Sequence, residues 1–331
     1  MLYRLRVPNC YEETLPVMLG LTHWKLWKLL ATAGLVRTGA LFWVLDSMPN
    51  QQMPATSAQV APKVRLVNRP QAVNQSLVNQ SVPEIARQVT VRVIGHPAAS
   101  SGVLIARHGN TYTVLTCQHC LSYNYDSASE SQFQVLTADG LTHPAQSLPA
   151  DEFGSVDLGL VQFTSSHSYQ VVQIAESESL SIGDPVYVAG FPKWHWMNPD
   201  QVEDTRDWGW AAYRLSTGQV GMLLNLPLER GYGLGYTNDI ETGMSGGPVL
   251  DRSGRLVGIN GRSKYPLNEI DAFVFEDGSY PSVAWFREME ALSWAIPISR
   301  FEQIQERGSA NSNVSPRSPV RIHRQMETPG W

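Results

Sequence analysis

Cysteine is scarce, with 3 in 331 residues, so a disulfide scaffold is excluded and a zinc site would need histidine or carboxylate help. Charge is scarce as well. Asp, Glu, Lys and Arg make up 17% of the chain, against roughly 25% in an average soluble domain. There is no long Lys/Arg run, and the formal net charge is -5, which argues against nucleic acid as the main partner. No internal repeat is visible, and collagen-like, coiled-coil and multispan membrane readings fail with it. What is present is 43% hydrophobic residues and enough chain for one large domain with tails, or two smaller ones.

Only one long apolar run exists, residues 29–45, LLATAGLVRTGALFWVL, preceded by Lys25 and Lys28. A basic flank before an apolar stretch is the pattern of a signal peptide or signal anchor. The run is at the short limit for spanning a bilayer and carries Arg37 in its middle, which is costly there. The expectation is an exported protein, periplasmic or tethered to the membrane through residues 29–45, with a buried core helix as the alternative. A start at Met18 would shorten the leader to that of an ordinary signal. Residues 46–83, rich in Gln, Asn, Val, Pro and Ser, read as a disordered linker, and residues 306–331 as a disordered tail.

Between these, residues 84–305 are dense in short strand signals. QVTVRVIG, GVLIARHG, TYTVLTC, QFQVLTA, LGLVQF, DPVYVAGF, GPVLD and RLVGIN are separated mostly by Gly, Asn, Asp or Ser turns. HGNT and DRSG read as tight hairpins. Helical periodicity appears mainly at the end, around Ser299–Glu306. Many short strands with few helices predict an all-β sandwich or barrel with a short C-terminal helix.

Three segments of this region carry chemistry together. TYTVLTCQHCL is a strand leading into His119, SVDLGLVQF opens a strand with Asp157, and ETGMSGGPVLD encloses Ser245 between Gly243, Gly246 and Gly247. A serine hydroxyl is a poor nucleophile until a base takes its proton, and histidine titrates near neutrality. A buried carboxylate on the far ring nitrogen fixes the tautomer and stabilises the imidazolium. Glycines let the chain turn sharply and aim backbone N–H groups, here those of Gly243 and Ser245, at a developing oxyanion. Singly, each residue has an ordinary structural explanation; in one β-rich region, in the order His, Asp, Ser, they form a constellation. No cofactor and no metal is required.

This region resembles the trypsin-like (chymotrypsin-fold) serine peptidases, of the bacterial type without the animal disulfides, and cyanobacterial members in particular. The resemblance rests on SGVLIARHGNTYTVLTCQHC, GMSGGPVLDRSGRLVGINGRS and SWAIPI. It implies two six-stranded antiparallel β-barrels, with His119 and Asp157 from the first and Ser245 from the second, and protein or peptide substrates cleaved through an acyl-enzyme. Met244 stands where activated animal zymogens carry aspartate, so activation through a freed N-terminal amine is not expected. Cys117 and Cys120 flank the histidine without the familiar strand partner. They read as small buried thiols, with a bridge or redox switch as the alternative. A zinc site would consume His119.

By the same resemblance, Asp239 would bind basic substrate side chains, and Asn260, Gly261 and Ser263 would line the substrate pocket. Asn260 replaces the histidine of glutamyl-specific relatives, and an inward Arg262 would neutralise Asp239. KWHWMNPDQVEDTRDWGW places Trp194, Trp196, Trp208 and Trp210 in alternating pairs, as on one face of a hairpin, and 264–292 reads as an inserted loop with Glu269, Asp271, Glu276 and Asp277. Two other functions compete. A catalytically silent binding protein of the same fold needs only a blocked cleft. An esterase built on G-x-S-x-G needs a histidine after the serine, and only His323 in the polar tail follows.

Overall fold

The structure is a computed structural model and describes residues 80–96, 98–122, 133–176, 180–198 and 200–312. The apolar run 29–45 and nearly all of the linker and tail lie outside the described residues. Among the described residues no helix is long and apolar enough to cross a membrane.

The first element is helix α1 (Val82–Val89), which begins in the last two residues of the expected linker and takes in the start of QVTVRVIG, expected as strand. Its start is written locally. The Glu84 carboxylate accepts from the Ser81 N–H and hydroxyl at 2.8 Å each, and Pro83 sits in the first turn. Six strands follow: β1 (Thr90–Ile94), β2 (Ala99–His108), β3 (Thr111–Thr116), β4 (Phe133–Leu136), β5 (Thr142–Ser147) and β6 (Gly159–Thr164). They close into a barrel in the order β1-β2-β3-β6-β5-β4. Its interior holds Val91, Val93, Leu104, Tyr112, Val114, Val161 and Phe163, all essentially excluded from solvent. Each fully buried aliphatic or aromatic side chain contributes roughly 1.5–3 kcal/mol, and closure removes the exposed sheet edges. The β2–β3 turn is the expected tight hairpin, with Gly109 at φ +60°.

The second barrel is built from β7 (Pro185–Gly190), β10 (Arg214–Leu228), β11 (Tyr232–Tyr236), β12 (Pro248–Leu250), β13 (Leu256–Arg262) and β14 (Ser293–Pro297). It closes in the order β10-β11-β14-β13-β12-β7. Every pairing in both barrels is antiparallel. The double-barrel architecture expected from the resemblance is therefore the observed one. Strand β10 escapes a periodicity reading because register shifts at Val220/Met222 and Leu223/Leu228 break its alternation.

A hairpin of β8 (Trp194–Asn198) and β9 (Gln201–Asp204) leaves the second barrel between β7 and β10. The tryptophans do not share it as expected. Trp194 and Trp196 lie on β8, whereas Trp208 and Trp210 belong to a 3-10 segment, Arg206–Ala212, bent at Gly209 with φ 54°. Trp210 packs edge-on against Phe191, and its indole N–H donates to the Thr137 carbonyl of the first barrel. Residues 264–292 are more than a loop. They contain a 3-10 turn, Glu269–Phe273, and helix α3 (Val283–Glu290), and Phe273 packs on the buried Trp294 of β14. Helix α4 (Ile298–Ser312) closes the domain, anchored by the buried Phe301 against Phe153.

Candidate active site

Strand β3 ends at Thr116, and the chain turns into the short helix α2 (Gln118–Leu121), which carries His119. Asp157 lies just before β6, whose pairing of Thr116 with Gly159 brings the two residues together. His119 Nδ1 is 2.7 Å from Asp157 Oδ2, and the His119 backbone N–H donates to Oδ1 at 2.9 Å. Pairing with a carboxylate acceptor assigns the proton to Nδ1 and leaves Nε2 as the basic nitrogen. Both residues are buried.

Asp157 also receives two donors from the second barrel. The Tyr232 hydroxyl donates to Oδ2 at 2.6 Å and the Arg230 guanidinium to Oδ1 at 2.7 Å. The carboxylate, fully buried, thus accepts from an imidazole, an amide, a phenol and a guanidinium. This is the compensation a buried charge requires. Arg230 reaches it from a backbone at φ 67°, a conformation rarely adopted outside glycine. Neither residue stands near Asp157 in sequence, and no spacing signalled them.

Two consecutive turns share Met244, and Ser245 is the second residue of the later one. Met244 N–H donates to the Glu241 carbonyl at 3.0 Å and Gly247 N–H to the Met244 carbonyl at 3.1 Å. The third residue of each turn is a glycine at positive φ, Gly243 at +97° and Gly246 at +85°, which makes both type II turns. The glycine spacing around the serine follows from that geometry. In a trans peptide, C=O and N–H point in opposite directions. The Thr242 carbonyl accepts from Lys193 N–H at 2.7 Å, so the Gly243 N–H faces the other way. Likewise the Ser245 carbonyl accepts from Ser101 N–H at 2.9 Å while Gly246 N–H donates to the Asn260 carbonyl at 2.8 Å. The Cys120 thiol lies 3.9 Å from that same Ser245 carbonyl, which places the serine turn against the residue following His119. The Ser245 hydroxyl lies 3.5 Å from the Gly261 carbonyl.

Burial opposes the charge of His119, but the Cys120 thiol and the Asp157 carboxylate outweigh it and raise its pKa well above the ordinary imidazole value. The Cys117 hydrogen bond and the neighbouring imidazole pull the Cys120 thiol well below the usual thiol range, against its burial. Burial pushes the Cys117 thiol up. Both cysteines are free thiols. Cys117, His119 and Asp157 place donor atoms within 4.8 Å of one another, a spacing a divalent ion could use. The donors are otherwise engaged: the Cys117 thiol meets the Asn260 carbonyl at 3.2 Å and Asp157 has the four donors already named.

The residues expected to bind substrate are placed differently from one another. Gly261 lies beside the Ser245 hydroxyl, and Ser263 follows at the end of β13, half-buried. Asn260 is a correction: its side chain is 0% exposed, donates to the Met244 carbonyl at 2.9 Å and accepts from the Tyr236 hydroxyl at 2.6 Å. It braces the serine turn from below and presents nothing to a ligand. Arg262 turns away from Asp239, stacking 4.1 Å over the Tyr232 ring and donating to the Ala272 and Glu229 carbonyls. Asp239 instead meets Lys264 Nζ at 2.8 Å, and Lys264 also donates to the Thr237 carbonyl.

Two antiparallel barrels, with a buried imidazole–carboxylate pair on one and a glycine-framed serine on the other, are the arrangement expected of a double-barrel serine peptidase. Residues 100–259 match the sequence profile of the trypsin-like peptidase domain. Among characterised relatives, Serine protease Do-like HtrA of Lactococcus lactis subsp. lactis is 27% identical over 65% of this chain and 46% of its own length. Serine protease HTRA1 of Xenopus laevis is 28% identical over 50% of this chain and 31% of its own length. The chain thus spans less than half the length of the relatives it matches. A solved structure, the inactive form of Rv3671c from M. tuberculosis H37Rv, aligns at 16% identity over 72% of this chain and 96% of that chain, with a TM-score of 0.47; so distant a likeness carries no weight.

Proposed function

We propose that this protein is a serine endopeptidase that cleaves peptide bonds through Ser245, His119 and Asp157. The observation that carries the reading is the His119–Asp157 pair at 2.7 Å together with a serine held in the second of two consecutive type II turns. In the proposed reaction His119 Nε2 removes the Ser245 proton as Oγ attacks the scissile carbonyl. Asp157 holds the imidazole and stabilises its charged form. The Gly243 and Ser245 N–H groups receive the oxyanion, and His119 returns the proton to the leaving amine. Water, activated by the same base, then releases the acyl group from Ser245.

Primary specificity follows from Asp239 and Lys264. A carboxylate at this place would favour basic side chains, but here it shares its charge with Lys264. An exposed pair of this kind is worth roughly 0–1 kcal/mol, so a basic preference is moderate and a competing cation must displace Lys264. The proposal extends to location: the basic flank and apolar run of residues 29–45 support export or a membrane tether. The test of the function is hydrolysis of an unfolded protein and a peptide library by the full chain. Cleavage by wild type, absent in Ser245→Ala, is the expected result. A folded wild type that binds these substrates without cutting them would reverse the reading in favour of a binding protein.

A further inference from the structure

The oxyanion turn leans on the second barrel's own hairpin, and that hairpin leans on the first barrel. Arg92, on β1, is 1% exposed, yet no carboxylate lies within ion-pair distance of its guanidinium among the described residues. Its Nη1 donates to the Thr205 carbonyl at 2.7 Å and to the Arg206 carbonyl at 3.4 Å, and its Nη2 donates to the Thr205 hydroxyl at 3.0 Å. The plane also lies over Phe191, 5.7 Å from the ring centre. Burial costs the guanidinium, and the nearby Asp204 and Asp207 carboxylates offset part of that cost, yet every hydrogen bond it makes goes to Thr205 or Arg206.

The explanation lies one bond further on. The Thr205 hydroxyl accepts from Arg92 and gives its one proton to the Pro192 carbonyl. Thr205 N–H donates to the Lys193 carbonyl at 2.9 Å. The Pro192–Lys193 peptide is therefore gripped at its C=O by Thr205, and its N–H is the donor to the Thr242 carbonyl at 2.7 Å. That bond sets which way the Thr242–Gly243 peptide faces. The packing there is tight: a Cβ on Gly243 would stand 2.5 Å from Lys193 N and 2.7 Å from the Phe191 carbonyl. A flip of the Thr242–Gly243 peptide would replace its N–H with a carbonyl in the oxyanion site.

We propose that Arg92 and Thr205 are positioning residues for the oxyanion site, holding the Gly243 N–H toward the reacting carbonyl through the Pro192–Lys193 peptide. This rests on the serine-peptidase reading. Neither residue touches substrate, and neither carries a signal of its own in the sequence: Arg92 sits in a strand like any alternating polar residue, and in the hairpin stretch that holds Thr205 the tryptophans are the feature that stands out.

The relay is tested in the full chain with Thr205→Val, which keeps the shape and loses the hydroxyl, and Thr205→Ser, which restores it. Removal of one oxyanion donor costs about 10²–10³ in kcat; loosening its support should cost roughly 10-fold or more in kcat, with KM within about twofold and the variant still fully folded at the assay temperature. Thr205→Ser should return kcat toward wild type. In a Gly243→Ala background, where the turn is already lost, Thr205→Val should cost little more, because the two act on one group. Wild-type kcat in Thr205→Val, or a loss that serine does not rescue, or losses that multiply in the double variant, would overturn the relay. If instead the wild type fails to cleave and Ser245 fails to react with a serine-directed probe, the underlying peptidase reading has failed and not the relay alone.

Discussion

In the proposed reaction the first barrel supplies the base and its carboxylate and the second the nucleophile and the oxyanion turn, but each barrel's contribution is held by side chains of the other. From the second barrel, Arg230 and Tyr232 reach across to Asp157. From the first, Ser101 donates from its hydroxyl to the Gly243 carbonyl at 2.9 Å and accepts from Phe191 N–H at 2.8 Å, and Arg92 grips Thr205. A cleft built this way ties catalytic geometry to barrel docking: charged and hydroxyl groups, not apolar contact alone, set the register between the halves.

The largest expected effects separate the two halves by their direct chemistry. Ser245→Ala and His119→Ala should each abolish measurable peptide hydrolysis, while Asp157→Asn should lower kcat by about 10⁴, as in the handling of the tautomer generally. Gly243→Ala, which forces a Cβ against Lys193 N and loses the +97° backbone, should cost about 10²–10³ in kcat with a small change in KM. These are read from steady-state kinetics on a peptide ester and amide.

Smaller effects sharpen the cross-barrel part. For His119 to act as base it must be neutral, and its pKa is raised, so the acid limb of kcat/KM should lie above the ordinary imidazole value of about 6.5. Cys120→Ala removes one of the groups that raise it, so the limb should move to lower pH. A limb that stays in place would show that the thiol does not contribute to the charge balance at His119. Smallest of all, Lys264→Met frees Asp239 and should raise kcat/KM for substrates with Lys or Arg before the cut by roughly fivefold, the scale of an exposed ion pair, with neutral substrates unaffected.

The two barrels also differ in how much of them the sequence disclosed. The first is made of short strands bounded by turn residues, and its hairpin at Gly109 and its strand ends at His119 and Asp157 are local patterns. In the second, β10 carries register breaks and mixed exposure, and Tyr232–Tyr236, YGLGY, is glycine-rich though fully buried, so neither shows a period. The serine turn was legible because a type II turn demands glycine at its third position, and two such turns in succession write Gly243, Ser245 and Gly246 into the chain. The Arg230, Tyr232 and Arg92 contacts were not legible, because each joins residues more than 70 apart in sequence through a single hydrogen-bonding side chain that no local pattern requires. Asn260 was misjudged for the same reason: its position was right for a pocket wall, but Tyr236 and the Met244 carbonyl take both ends of its amide.

The most direct measurement is labelling of the full chain with a fluorophosphonate serine-hydrolase probe, with the modified residue located by peptide mass mapping. The account predicts rapid labelling of wild type at Ser245 and none in folded His119→Ala. No labelling of folded wild type, or labelling at Ser245 that persists without His119, would contradict it.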